Sequence, residues 1–404
     1  MLLEFRVKNF KCFRDEQVLS LVASSDDSLT ENLFSDNEKS KLRLLRSIVI
    51  YGANASGKTS ILEALNFARY FVLSSVERVA SRQIFVKPFL FDPESSGSPT
   101  CFEFSFLQNG IRYQYGFTVN SDRVLEEYLS YAPRGRTALY FERKWENGKD
   151  QYSFGDTYRG GREVPYTKTR EDALFLTTGA AFNNPVLQEV LKWFSKMSVE
   201  MQLSFASQNY PLHINESHHQ GIRDLLRFAD LGIVDYRQKD TADAFDNLGG
   251  NDYEMLHQVQ EDRVVALPLR AESEGTQHIF YLGNVVLPVI EQGGLLIVDE
   301  LDASLHPLLV RSLVEIFHNP EINRNNAQLI FNTHDTTLLD PLLFRRDQVW
   351  FTEKDTQGAA HLYSLLEYSP RKGESLSKGY LQGRYGAIPF ISDPAFLFRQ
   401  ENLE

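Results

Sequence analysis

The sequence predicts an α/β fold built around a phosphate-binding strand, loop and helix, with an antiparallel β lobe and a helical lobe attached. Three observations predict it. An apolar strand over 48–50 runs into the loop Gly52-x4-Gly57-Lys58-Thr59, and the helix that follows carries Ile61, Leu62 and Leu65 on one face. Between 100 and 154, short segments alternate apolar and polar residues around Asn109-Gly110 and Asn147-Gly148, the dipeptides of tight hairpins. A buried strand over 295–298, LLIV, ends in Asp299-Glu300, and α/β sheets bind ligands at the carboxyl ends of their strands.

Size and charge bound the reading. At 404 residues the chain exceeds one typical domain, which predicts a nucleotide-binding body with inserted lobes. Net charge is −12, so the molecule as a whole repels nucleic acid and leaves only local patches for such contact. Cys12 and Cys101 are the only cysteines and lack CxxC spacing, which supports neither a disulfide framework nor a zinc site. No apolar stretch approaches the roughly 18 residues of a membrane span, and MLLEFRVKNF has no signal-peptide core. The expectation is a soluble, cytoplasmic protein.

In chain order, residues 2–10 alternate Leu3, Phe5 and Val7 with Glu4, Arg6 and Lys8, a half-buried strand whose partner is expected over 17–22. Polar residues over 24–40 read as a loop. Phe102, Phe104 and Phe106, then Ile111, Tyr113, Tyr115 and Phe117, form one hairpin; 138–144 and 151–154 form a second. Residues 134–170 hold nine basic and five acidic side chains, interleaved with Tyr140, Trp145, Tyr158 and Tyr166. That mixture suits either a phosphate- and base-binding patch or a solvated sheet face with aromatics inside. Helical spacing recurs over 185–199 and 220–231, and 240–262 reads as a surface loop. His213, His218 and His219 read as loop histidines. No heptad run is long enough for a coiled-coil arm.

The loop chemistry is explicit. Glycines at 52 and 57 let the backbone close on an anion, and the helix N-terminus adds partial positive charge. Lys58 reaches the β and γ phosphates, while the Thr59 hydroxyl suits Mg²⁺. Asp299 occupies the position of a Walker B acid, and Glu300 after it is placed to polarise an attacking water. A strand over 328–331 ends in Asn332-Thr333-His334, 35 residues past Asp299.

The ordered set GANASGKT, SEG, LLIVDE, LDASLHP and NTH resembles the ABC-type ATPase head of the SMC, RecF and OLD families, and within that group the compact RloA-like ATPases often labelled AAA. ESEGTQHIF, RRDQVWF at 345–351 and YLQGRYGAIP at 380–389 support the resemblance, whereas 120–260 match only in outline. It implies a P-loop NTPase of ABC/SMC-head type with a mixed sheet core, binding ATP and Mg²⁺. Gly52, Asn54, Ser56, Gly57, Lys58, Thr59 and Ser60 would hold the phosphates. Thr59 and Asp299 would hold the metal. Glu300, His334 and Lys58 would act in catalysis, His334 as the switch histidine. Ser273 and Gly275 match the signature that caps a nucleotide held by a second copy, and Asp302 matches the loop coupling the two sites. A homodimer closing on two ATP molecules follows from that.

The chain departs from the family pattern in places. Glu272 and Glu274 replace the Leu and first Gly of the LSGGQ signature. Gln83 is the nearest Q-loop candidate, and Phe13 and Arg14 lie in the region expected near adenine without being assigned to it. The resemblance also implies bacterial defence and a separate effector, a toxin or a nuclease of TOPRIM or HNH type. A RecF-like repair ATPase using the 134–170 patch is the alternative, and the acidic balance weighs against it. A self-contained OLD nuclease is not expected, because the 70 residues after His334 are too few for a TOPRIM domain. The expected organisation is 1–98 as the N-terminal part of the ATPase core, 99–170 as the β lobe, 171–262 as an inserted helical lobe, and 263–404 as the C-terminal part of the core.

Overall fold

Ile48 and Ile50 enter one hydrophobic core and Val49 and Tyr51 enter another, because successive side chains on a strand point to opposite faces. The same alternation along 295–298 sends Leu295 and Ile297 to the first core and Leu296 and Val298 to the second. A central sheet therefore divides the molecule. The computed structural model describes residues 1–35, 42–77, 83–133, 135–159, 163–201, 216–229, 232–239, 253–260, 263–368, 370 and 373–389.

The chain opens with β1 (Leu2–Lys8), β2 (Gln17–Ser20), β3 (Leu33–Ser35) and β4 (Arg43–Leu45). Next come β5 (Ser47–Gly52), α1 (Lys58–Ser74), α2 (Pro93–Ser96), β6 (Thr100–Gln108), β7 (Ile111–Val119), β8 (Val124–Tyr131), β9 (Ala138–Glu146) and β10 (Lys149–Phe154). The middle holds α3 (Glu163–Lys168), α4 (Phe175–Ala181), α5 (Pro185–Ser195), β11 (Met197–Glu200), α6 (His219–Phe228), β12 (Ile233–Gln238), β13 (Tyr253–Gln260) and β14 (Arg263–Pro268). It closes with α7 (Glu274–Gln292), β15 (Leu295–Val298), α8 (Pro307–His318), β16 (Gln328–Asn332), β17 (Val349–Lys354), β18 (Ala360–Ser364) and α9 (Leu376–Leu381).

The central sheet runs β11-β15-β16-β5-β17-β18. Its first five strands are parallel and β18 returns antiparallel to β17. A seven-stranded sheet, β10-β9-β8-β7-β6-β1-β2, is antiparallel throughout, so the β lobe is continuous with the N-terminal hairpin. Its inner phenylalanines close the first core against α1, α4 and α5: the Phe106 ring stacks on Trp193 at 4.0 Å, and Phe104 meets Phe194 edge-on at 5.0 Å. On the other side α6, α7 and α8 cover the second core.

Three expectations change. Residues 24–40, read as a loop, contain strand β3, which pairs antiparallel with β4, while 36–40 lie outside the described residues. Residues 197–200 are not a continuation of the 185–195 helix but the edge strand β11, paired in parallel with β15. Helical spacing in the sequence cannot register that pairing, because Met197 gains its place from a strand nearly one hundred residues later. Residues 253–260, read as loop, are strand β13 between β12 and β14, while 240–252 lie outside the described residues. The stretch 171–262 thus supplies α4 and α5 to the first core and α6 to the second, together with strands β11, β12 and β13.

Candidate nucleotide site

The carboxyl ends of four neighbouring strands, β15, β16, β5 and β17, meet at one edge of the central sheet, where the glycine loop and the acids lie. β5 ends at Gly52, whose backbone presses so closely on β17 that an added Cβ would lie 2.6 Å from the Thr352 carbonyl oxygen. Gly57, with φ 121°, closes the loop in a conformation side chains resist and is the N-cap of α1. Ser56 turns inward to share a 2.6 Å hydrogen bond with the Thr352 hydroxyl. Lys58 folds over the loop and donates to the carbonyls of Gly52 at 2.8 Å and Ala53 at 3.0 Å. Burial lowers its pKa, and the carboxylates of Glu300, Asp299 and Asp302 push the other way.

A chain of hydrogen bonds joins this loop to the acids. The exposed Thr59 hydroxyl donates to Asp299 Oδ1 at 2.9 Å. Asn332 Nδ2 donates to the same oxygen at 2.5 Å, and its Oδ1 accepts the Glu300 amide at 2.6 Å. Glu300 is left-handed, φ 53°, a conformation that costs about 1–3 kcal/mol for a non-glycine residue. Asn332 is fully buried and holds both neighbours of that turn. The exposed Glu300 side chain therefore projects from a fixed base. A hydroxyl beside a carboxylate oxygen is a donor pair that suits Mg²⁺, and three carboxylates bear on the Lys58 ammonium, so the residues present fit a metal–triphosphate.

The sequence matches, over residues 47–340, the family described as "AAA domain, putative AbiEii toxin, Type IV TA system". The chain belongs to that family. No curated protein matches it. Among solved structures it is similar to the SMC head domain from Thermotoga maritima, at 14% identity and TM-score 0.42, covering 90% of this chain and 98% of that one. The fold class is accordingly that of an α/β P-loop NTPase with a mixed central sheet, as the loop and strand order require.

In this AAA-domain protein the remaining expected residues fall into two groups. Asn54 is exposed at the loop tip, and Ser60 bonds the half-buried Cys12 thiol, whose pKa burial raises. Asp302 accepts the His334 amide at 3.3 Å, which puts the exposed His334 beside the acidic turn. Ser273 caps α7, accepting from the Thr276 amide at 3.1 Å. Gly275 sits where an added Cβ would lie 2.8 Å from the Ser304 carbonyl oxygen, so the start of α7 packs on the turn after Glu300. Phe13, by contrast, is fully buried beneath Gly57. Arg14 lies outward beside Asp15 and Gln357. The segment after α1 is tied at Ile84 to Ser121 and at Lys87 to Lys11, so its later end approaches Cys12.

Of the two readings open for the basic stretch 134–170, the structure favours the sheet face. Arg143 is fully buried, bonded to Asp150 at 2.8 Å and lying 4.0 Å from Glu127. Lys144 pairs with Glu142 and Arg170 with Asp172. Tyr140 and Tyr158 are core residues. These three basic side chains are answered within the lobe and Tyr140 and Tyr158 point inward, whereas Arg136, Lys149, Arg159 and Tyr166 are exposed; Arg134 and Arg162 lie outside the described residues. His218 meets Glu291 at 2.8 Å and His219 stacks on Tyr236, while His213 is outside the described residues. Among the described residues no group of three or more His, Cys, Asp or Glu forms a metal cluster, and no helix is long and apolar enough to cross a membrane.

Sequence reasoning missed Asn332, Tyr51 and Tyr380. Tyr51 Oη donates to the Asp335 carbonyl at 2.9 Å. Tyr380, from the YLQGRYGAIP stretch, stacks on Phe351 and donates to the Ala387 carbonyl at 3.1 Å. Burial pushes its phenol up to about 12, against the opposing hydrogen bond of the Gly52 amide. The asparagine in NTH was in view at a strand end, but only the pairing of β15 with β16 shows what it touches.

Proposed function

We propose that this chain binds ATP with Mg²⁺ and hydrolyses it, and that two copies close on two nucleotides to form a switch controlling a separate effector. The observation that carries the reading is the continuous path Thr59–Asp299–Asn332–Glu300 at the mouth of the glycine loop. In it the loop amides and Lys58 bind the triphosphate, and Asp299 and Thr59 hold the metal. The metal, when bound, neutralises charge building between the β and γ phosphates. Glu300, fixed by Asn332, orients and polarises the attacking water. His334, carried by Asp302, contacts the γ phosphate.

The shared-site half rests on Ser273 and Glu274, which are exposed at the start of the 19-residue α7, where helix amides favour an anion. Ser273 and Gly275 of one copy would then cap the nucleotide bound by the other. The family description, a putative toxin of a type IV toxin–antitoxin system, supports a role in such a system; the separate effector, a toxin or nuclease on another chain, is carried only by the resemblance to RloA-like ATPases.

Glu300→Gln tests the reading. It is expected to retain ATP binding, to slow turnover by about 10²–10⁴-fold, and to accumulate a dimer by light scattering when ATP is added. Wild-type turnover in that variant removes Glu300 from its role. An ATP-saturated monomer overturns the shared site.

A further inference from the structure

We propose that Tyr51 is a positioning residue: its hydroxyl, through the Asp335 carbonyl, holds His334 in register with the phosphate loop. Tyr51 immediately precedes Gly52, and its ring is 1% exposed, set between Phe351 at 6.4 Å and Tyr380 at 5.7 Å. From there Oη reaches Asp335 O at 2.9 Å. The segment 333–335 is tied at each residue: Thr333 N–H to the Ile50 carbonyl at 3.3 Å, His334 N–H to Asp302 at 3.3 Å, and Asp335 to Tyr51. Asp335 in turn caps the next turn, its Oδ1 accepting from the Thr337 amide at 2.8 Å and hydroxyl at 2.6 Å.

Two of those three ties come from β5, the strand that feeds the loop. A shift of Gly52 on a phosphate therefore reaches the His334 backbone through a buried phenol that packing prevents from rotating away. Burial and the nearby Asp335 and Asp302 raise the Tyr51 pKa well above its ordinary value, so the hydroxyl stays a donor. This inference rests on the hydrolase reading above, in which His334 touches the γ phosphate.

The test is a double-mutant cycle on ATP turnover with Tyr51→Phe, His334→Ala and both. Tyr51→Phe keeps the ring and is expected to lower kcat by about tenfold, the effect of one buried hydrogen bond, with KM within about twofold. In the His334→Ala background it should add nothing further, since it acts through that residue. Thr337→Val, on an exposed turn, loosens Asp335 from the other side without touching the core and should show the same dependence on His334. Effects that multiply with His334→Ala, or a Tyr51→Phe kcat equal to wild type, overturn the inference. A wild-type protein that hydrolyses no ATP sinks the hydrolase reading itself.

Discussion

The antiparallel sheet and the edge of the central sheet both carry acids and bases, and they treat them in opposite ways. In the first, Arg143 is enclosed with Glu127 and Asp150, and Glu127 also accepts from the amides of Phe175 and Leu176 at 2.7 and 2.9 Å and from the Tyr115 hydroxyl. Both Glu127 oxygens and both Nη groups of Arg143 are answered inside the protein, although Arg143 Nε, like Asp302 Oδ1 at the central edge, is buried without a hydrogen-bond partner. At the central edge, Asp299 is held from two sides, yet Glu300 and His334 are exposed, and Asp302 keeps a buried Oδ1 without a hydrogen-bond partner. Charge that is satisfied internally builds a fold; charge left facing outward from a rigid base is ready for a ligand.

The sharpest break in that contrast is Arg143→Met. Removing one partner strands a buried carboxylate, so the expected cost is about 3–5 kcal/mol of stability by denaturant midpoint, with ATP turnover per folded molecule unchanged. Loss of turnover without loss of stability would merge the two regions into one functional unit. Next in size, Lys58→Ala should weaken ATP affinity and turnover by about 10²–10³-fold while leaving the unfolding midpoint near wild type. Calorimetry showing unaltered ATP binding would deny the loop its cation.

The effect that is smallest at neutral pH and grows only on acidification concerns His318, at the opposite end of β5 from the site. Its Nε2 shares a 2.7 Å hydrogen bond with the Ser47 hydroxyl, and burial, with Arg46 nearby, lowers its pKa to about 3. The folded state keeps this ring neutral where the unfolded chain, near 6.5, would protonate it. Its contribution is therefore complete above about pH 6.5 and is lost as pH falls toward 3, at up to about 1.4 kcal/mol per pH unit. His318→Gln should flatten that part of the pH–stability curve. An unchanged slope would mean other groups set it.

Much of the site was legible because its parts are local. GANASGKT forms a loop from its own glycines, and LLIVDE places two acids at a strand end whatever lies beside it. The hairpins at Asn109-Gly110 and Asn147-Gly148 were equally readable, and both asparagines are left-handed, φ 51° and 54°. The 134–170 stretch stayed open between two readings for a physical reason: its composition counts charges, but alternation along β9 and β10 decides which of them face inward, and Arg143 faces the core. Strand β11 was hidden because four residues carry too little periodicity to separate a strand from a helix end.

The sequence alone determined the glycine loop, the acids after β15 and the alternating strands, since each follows from backbone freedom or side-chain period within a few residues. Tertiary structure alone decided that Asn332 joins Asp299 to Glu300, that Tyr51 reaches Asp335 across 284 positions of chain, and that Arg143 is structural. Those contacts arise from strand order, and strand order is fixed by which apolar faces two cores can bury together.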